Sequence, residues 1–255
     1  MRAPDPLSTT PTPTHAILHP DMIDIASRRA EILARIERAA LRAGRDPASV
    51  ALLAVTKTHP AELVLEAARA GLTHFGENRV AEGVAKIERV RAQFPGLTWK
   101  LIGPLQSNKA KAALQWFSMV ETMDRERLAV RIAGLLPPDA AAFPVLLEVN
   151  VAGEASESGV PPSEAAELGR AILASGRLDL RGLMAVPPFG DDPEAARPHF
   201  RALRDLRARL RDDLGSPLPE LSMGMSHDFE VAVEEGSTEV RLGTALFGQR
   251  TGPPA

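Results

Sequence analysis

The chain has 255 residues, 44% hydrophobic and 25% charged, which places it among ordinary folded globular proteins and allows one large α/β barrel or two smaller domains. A formal net charge of −3 argues against a nucleic acid or an anionic membrane surface as the main partner, and no apolar run approaches the roughly 18 residues of a membrane span. With no cysteine and no tyrosine, disulfides, thiolate metal sites, cysteine nucleophiles and any phenol acid or base are excluded.

Residues 1–21 carry Pro4, Pro6, Pro11, Pro13 and Pro20 among serines and threonines, so they are expected to form a disordered leader. Met1 leads into no signal-peptide core, which points to a cytoplasmic chain, and Met22 is an alternative start of translation. From there Met22, Ile25, Ile32, Leu33 and Ile36 follow a helical period, and Gly44 suits the stop.

Short apolar runs then alternate with helical patterns. Strand candidates begin at Ala51, Leu72, Thr98, Phe117, Pro144, Leu180, Glu220 and Ser237, and the helices between them are led by Pro60, Asn78, Asn108, Asp124, Pro162, Pro193 and Ser226. Eight βα units of about 20 to 40 residues predict a (β/α)8 TIM-like barrel with an extra N-terminal helix. No composition break divides it, so residues 22–250 are expected to form a single domain, with a disordered tail at 251–255. A doubly wound open sheet is the alternative. The run Phe200 to Leu214, with Leu203, Leu206 and Leu210, predicts a solvated helix with an apolar stripe.

The first strand, Ala51-Leu52-Leu53-Ala54-Val55, stops just short of Lys57, and the carboxyl end of a parallel strand is where ligands bind in such folds. On a low-dielectric wall a lysine loses its proton more easily and attacks carbonyls, which makes Lys57 a Schiff-base candidate. The bland reading is a solvated lysine at a strand end. Asn78 either caps the helix that follows it or turns its amide to a ring substituent of a ligand. The turn Gln106-Ser107-Asn108-Lys109 is either a solvated helix start or part of the mouth.

The last two units carry more signal. Loops after strands seven and eight of such barrels often bind phosphate, and Ser226, placed to cap a helix, with Gly243-Thr244, opening the last one, suit that task. Two tight turns and a cap are the alternative. Arg241 lies two residues before Gly243, on the same strand face, and as a donor only it would bond an unprotonated ring nitrogen; otherwise it is a surface ion-pair residue. Together with Lys57 these residues describe a site for a phosphorylated aldehyde. The six histidines show no metal-ligand spacing, no metal site is expected, and no paired carboxylates stand out.

Seven blocks carry a family likeness. They are Val55-Thr56-Lys57-Thr58, Phe75-Gly76-Glu77-Asn78, the run from Ile102 to Lys109, Leu147-Glu148-Val149-Asn150, Gly182-Leu183-Met184, the run from Leu221 to Ser226, and Val240-Arg241-Leu242-Gly243-Thr244. In this order, from about Met22 to Arg250, the chain resembles the pyridoxal phosphate homeostasis proteins, whose barrel is of the alanine racemase N-terminal domain type. The resemblance implies pyridoxal 5'-phosphate as cofactor, held as an internal aldimine on Lys57 and exchanged reversibly. It further implies Arg241 facing the pyridine nitrogen, and Ser226, Gly243 and Thr244 on the phosphate.

An unprotonated pyridine is a weak electron sink, which fits a non-catalytic carrier that keeps the free aldehyde low. Amino acids and apo-enzymes needing the cofactor are the implied partners, and a monomer is expected. The rivals are an amino-acid racemase, which on this fold type needs a tyrosine and a second domain that the sequence does not offer, and a cofactor-free lysine aldolase. Two departures, Arg79 in place of a tyrosine and Lys100 in place of a histidine, are expected to alter the rim of the site.

Overall fold

The computed structural model describes residues 24–153 and 158–249; the expected leader at 1–21 and tail at 251–255 lie outside them. Helix α1 (Ile25–Arg42) opens the described chain. Asp24 accepts from the Ser27 N–H at its start, and Ile25, Ile32, Ile36, Ala39 and Ala40 form its buried stripe.

The alternation that follows closes into a barrel. The strands are β1 (Ala51–Val55), β2 (His74–Glu77), β3 (Thr98–Leu101), β4 (Met119–Met123), β5 (Phe143–Glu148), β6 (Leu178–Met184), β7 (Glu220–Ser222) and β8 (Glu239–Leu242). All are parallel and ordered as in the sequence, and β8 pairs back onto β1, with Leu53 opposite Arg241, which removes the open-sheet alternative. The expected strand starts agree to within two residues. Leu72, Phe117 and Ser237 are buried just before their strands begin, so burial there precedes ladder pairing.

Around the strands run α2 (Ala61–Arg69), α3 (Val80–Val90), α4 (Ala110–Trp116), α5 (Glu126–Ala133), α6 (Ala165–Ala174), α7 (Arg197–Leu214), α8 (Phe229–Glu234) and α9 (Thr244–Phe247). Helix α7 buries Phe200, Leu203, Leu206 and Leu210, the stripe expected from the sequence. Each such side chain contributes roughly 1.5–3 kcal/mol on full burial. No helix among the described residues is long and apolar enough to cross a membrane.

The main apolar core lies between strands and helices, while a separate small cluster of Met119, Leu146 and Met184 is formed by strand residues alone. By strand alternation, Glu121 shares a face with Met119, Glu148 with Leu146, and Glu239 with Arg241. The barrel interior is therefore partly ionic where such barrels are usually filled with branched aliphatics.

Candidate functional site at the carboxyl-terminal mouth

The carboxyl ends of the strands surround a cavity of about 750 Å³, and Lys57, Asn78, Ser226, Arg241, Gly243 and Thr244 all line it. That size falls within the usual range for small-molecule sites.

Lys57 sits in the turn after β1, and its backbone is gripped from both sides. The Lys86 ammonium, buried on the inner face of α3, donates to the Thr56 carbonyl at 2.6 Å, to Glu77 Oε1 at 2.8 Å and to Glu82 Oε1 at 2.6 Å. The Thr56 hydroxyl donates to Glu77 Oε1 at 2.6 Å, and Glu82 also accepts the Thr58 N–H. Thr58 has φ 66°, left-handed backbone that a β-branched residue adopts at a cost of about 1–3 kcal/mol. The grip on either side offsets that cost and fixes where the Lys57 side chain departs. Glu77, Glu82 and Lys86 were not found from the sequence; the signal was a lysine among the apolar positions Val80, Gly83, Ile87 and Val90 of one helix face.

Asn78 does not cap α3. The cap position belongs to Arg79, without a side-chain cap bond, so the capping reading is corrected and the Asn78 amide is left to the cavity wall. Its backbone is pressed against Gly103, where a Cβ would lie 2.3 Å from the Asn78 carbonyl oxygen, so no larger residue fits at 103 without moving Asn78. After β3, Gly103 and Pro104 reach the cavity, whereas the polar turn at residues 106–109 does not line it, and its last three residues form a 3-10 turn, a helix start.

Ser226 is not the cap of α8 either, because Asp228 holds that position. Ser226 Oγ instead accepts the Ala245 N–H at 3.1 Å and so joins the loop after β7 to the first turn of α9, while Asp228 accepts the Met225 N–H at 2.6 Å. Sequence spacing suggested the nearer helix; the bond is made to the one that closure of the barrel brings alongside. Gly243 and Thr244 open α9 as expected. The backbone N–H groups of Ser226, His227 and Thr244 find no acceptor among the described residues, and all three residues line the cavity. This is a donor set suited to an anion.

Arg241 is 4% exposed and points into the barrel, which removes the surface ion-pair reading. It donates to Ser222 Oγ at 2.7 Å and to the Ala185 carbonyl at 2.8 Å, two of its five N–H groups. Glu148, at the end of β5, also lines the cavity; burial, and then the negative charge of Asp124, push its carboxyl up to about 7. The strand order places β5 diametrically across the barrel from β1, so Glu148 and Lys57 stand on opposite walls. At the lip Phe189 is 79% exposed, its ring 5.5 Å from that of His227.

Lys100 is nowhere near the rim. It points inward toward the opposite, amino-terminal mouth, where its ammonium lies 2.6 Å from Glu239, 3.3 Å from Glu121 and 3.6 Å from Glu220. The expectation for Lys100 is thus corrected: β3 carries the side chain into the barrel before the strand reaches the ligand end. The carboxylates gathered around it escaped the sequence reading because β3, β4, β7 and β8 each supply only one residue to the cluster.

One amine, one inward guanidinium, one amide and a set of backbone donors therefore share a cavity, a donor-rich set that fits a phosphorylated aldehyde with an acceptor atom in its ring. The sequence matches the family "Alanine racemase, N-terminal domain" over residues 28–251. It is 46% identical over 235 residues, 92% of this chain and 100% of the relative, to a pyridoxal phosphate homeostasis protein of Pseudomonas aeruginosa. It is 42% identical over 228 residues, 89% of this chain and 99% of the relative, to one of Aquifex aeolicus. Among solved structures it is similar to PipY of Synechococcus elongatus with PLP bound, with a TM-score of 0.76 and 36% identity over 88% of this chain and 100% of that one.

Proposed function

The chain belongs to the pyridoxal phosphate homeostasis protein family, built on the alanine racemase N-terminal domain barrel, and from that premise we propose that it binds pyridoxal 5'-phosphate at the carboxyl-terminal mouth. The observation that carries this reading is the convergence of Lys57, Asn78, Ser226, Arg241, Gly243 and Thr244 on one cavity. When bound, the cofactor supplies an aldehyde carbon that a primary amine can attack and water can release. Lys57 Nζ is the amine that would take that carbon with loss of water, and addition of water would give it up again. Ser226 and Thr244 offer N–H donors to the phosphate where Gly243 keeps the loop close, and Asn78 turns its amide to a ring substituent.

Arg241 donates toward the ring nitrogen and keeps it unprotonated, since a guanidinium has no acceptor and does not give up its proton. The ring is then a poor electron sink, so this arrangement serves reversible holding of the cofactor better than carbanion chemistry. With no tyrosine in the chain, the two-base racemase has no phenol to work with. The protein acts as a non-catalytic, cytoplasmic, monomeric carrier that keeps the free aldehyde low and passes it to amino acids or apo-enzymes.

The test is an absorbance spectrum of the purified protein, then borohydride reduction and peptide mass mapping. A yellow protein whose reduced pyridoxyl group maps to Lys57, and a Lys57→Ala variant without covalent cofactor, are the expected results. A colourless protein that takes up no added pyridoxal phosphate would overturn the reading and leave the cofactor-free aldolase.

A further inference from the structure

Arg241 hangs from a connected column of polar groups that runs down the barrel axis. Its Nη1 donates to Ser222 Oγ at 2.7 Å, and Ser222 Oγ donates to Glu121 Oε2 at 2.6 Å with Glu239 Oε1 at 3.3 Å. A hydroxyl has one proton, so with the arginine donating to it the serine commits that proton to a carboxylate below. Lys100 Nζ closes the column from the far side, 2.6 Å from Glu239 Oε2 and 3.3 Å from Glu121 Oε1. A second cavity, of about 390 Å³, opens on the amino-terminal mouth and is lined by Lys100, Glu239, Glu220 and His74.

We infer that Glu121, Glu239 and Ser222 are positioning residues for Arg241, held from the opposite mouth by Lys100, and that they fix the guanidinium against the cofactor ring. The inference rests on the function proposed above. The contacts pass from Arg241 through Ser222 to the two carboxyls and on to Lys100, so the position of the guanidinium is decided several residues away from the ligand.

The charges agree with the geometry. Burial raises Glu239 well above the ordinary carboxylate range, and the adjoining negative charge of Glu121 adds to that. Burial acts on Glu121 too, but the charge of Lys100, and after it the charge of Arg241 and the hydrogen bond from Ser222, outweigh it and hold it below. Of the two carboxyls Glu121 is thus the one held toward its anionic form, beneath Ser222 and Arg241, and Glu239 the one pushed toward its neutral form. The other charged groups facing Arg241 are Asp228, ahead of α8, and Glu148 on β5; Glu220 on β7 faces Lys100. Both Lys100 and Glu239 border the amino-terminal cavity.

The test uses the full chain, with pyridoxal phosphate as the probe. Glu121→Gln, Ser222→Ala and Arg241→Ala are compared singly, and each of the first two is combined with Arg241→Ala. The readouts are pyridoxal phosphate affinity, the pH profile of the visible absorbance, and, without ligand, the nitrogen NMR signals of the Arg241 guanidinium. Glu121→Gln is expected to shift the pH profile, to weaken binding roughly threefold to tenfold, the net worth of one ordinary hydrogen bond, and to move the guanidinium signals in ligand-free protein. In the Arg241→Ala background the same substitution should change neither affinity nor profile. Ser222→Ala removes only a hydroxyl and gives the same pattern if the glutamine variant does not fold. A fall in unfolding temperature with the pH profile and guanidinium signals unchanged would overturn the inference, as would effects that add in the double variants. If Arg241→Ala alone leaves affinity and spectrum unchanged while Lys57→Ala abolishes covalent binding, Arg241 does not face the ring and the inference falls with its contact. If neither variant changes binding, the proposed function itself is at fault.

Discussion

The two mouths of the barrel each hold a lysine at a strand, and the two are put to opposite uses. At the amino-terminal mouth Lys100 is surrounded by Glu239, Glu121 and Glu220. Burial works against its charge, but Glu121 and then Glu239 overcome that and hold the ammonium above the usual lysine range. A lysine kept protonated is no nucleophile. At the carboxyl-terminal mouth Lys57 borders the cavity, and what the fold fixes around it is the backbone of its turn through Lys86, Glu77 and Glu82. On the function proposed above, the comparison teaches that reactivity is assigned by which end of a strand a lysine leaves from. At one end the neighbours are carboxylates that use its charge; at the other they are anion donors and a guanidinium that favour a bound electrophile.

The largest expected break of that contrast is Lys100→Met. Removing one partner of a buried ion cluster leaves the others uncompensated, and losses of about 3–5 kcal/mol are typical. Urea unfolding of the ligand-free chain reads it. In the variant Glu121 and Glu239 escape the penalty by taking up protons, so the deficit should be small near pH 4 and grow as pH rises through the carboxylate range. A loss under about 1 kcal/mol at pH 8 would mean that the cluster does not stabilise the fold.

Glu148→Gln sharpens the view of the ligand end. In the folded chain this carboxyl titrates near about 7, against 4.5 for an ordinary glutamate, so the native state keeps a proton that the unfolded chain releases. Stability is unaffected below the unfolded value, falls as pH rises between the two, and carries the full penalty above about 7. Glutamine removes the penalty. Ligand-free Glu148→Gln should therefore match the parent chain near pH 4 and exceed it at pH 8 by up to about 3 kcal/mol. Paired urea titrations at the two pH values decide it, and a difference that does not change with pH would show that Glu148 titrates as an ordinary surface carboxyl.

How much of this was legible before the structure differs between the two mouths for a physical reason. The alternation of apolar runs and helices announced eight strands because each must bury its residues whatever the topology. That Lys57 and Arg241 border the ligand-end cavity was legible as well, the first from the place where an apolar run stops and the second from its two-residue distance to Gly243. The ionic column was not. Glu121 stands alone in Met119-Val120-Glu121-Thr122-Met123, and Lys100 alone in β3, so each looks like a residue facing solvent. Lys100 and Glu121 meet on the adjoining strands β3 and β4, and only when β8 pairs with β1 does Glu239 come to face them from the far side of the interior. The misread Ser226 is the same effect on a smaller scale, since its partner Ala245 is 19 positions away.

The smallest effect is the one that bears most on function. Lys57→Ala should change the unfolding free energy of the ligand-free chain by no more than about 0.5 kcal/mol, as for an ordinary surface substitution. The Lys86, Glu77 and Glu82 bonds that shape its turn are made to Thr56 and Thr58. Urea unfolding without ligand, beside Lys100→Met, tests this directly. If Lys57→Ala costs as much as Lys100→Met, the lysine at the ligand end is also part of the framework, and loss of cofactor from that variant could no longer be read as loss of the reacting amine. If its cost is negligible, the two lysines separate cleanly: one holds the barrel together from below, and the other is kept at a strand end for its chemistry.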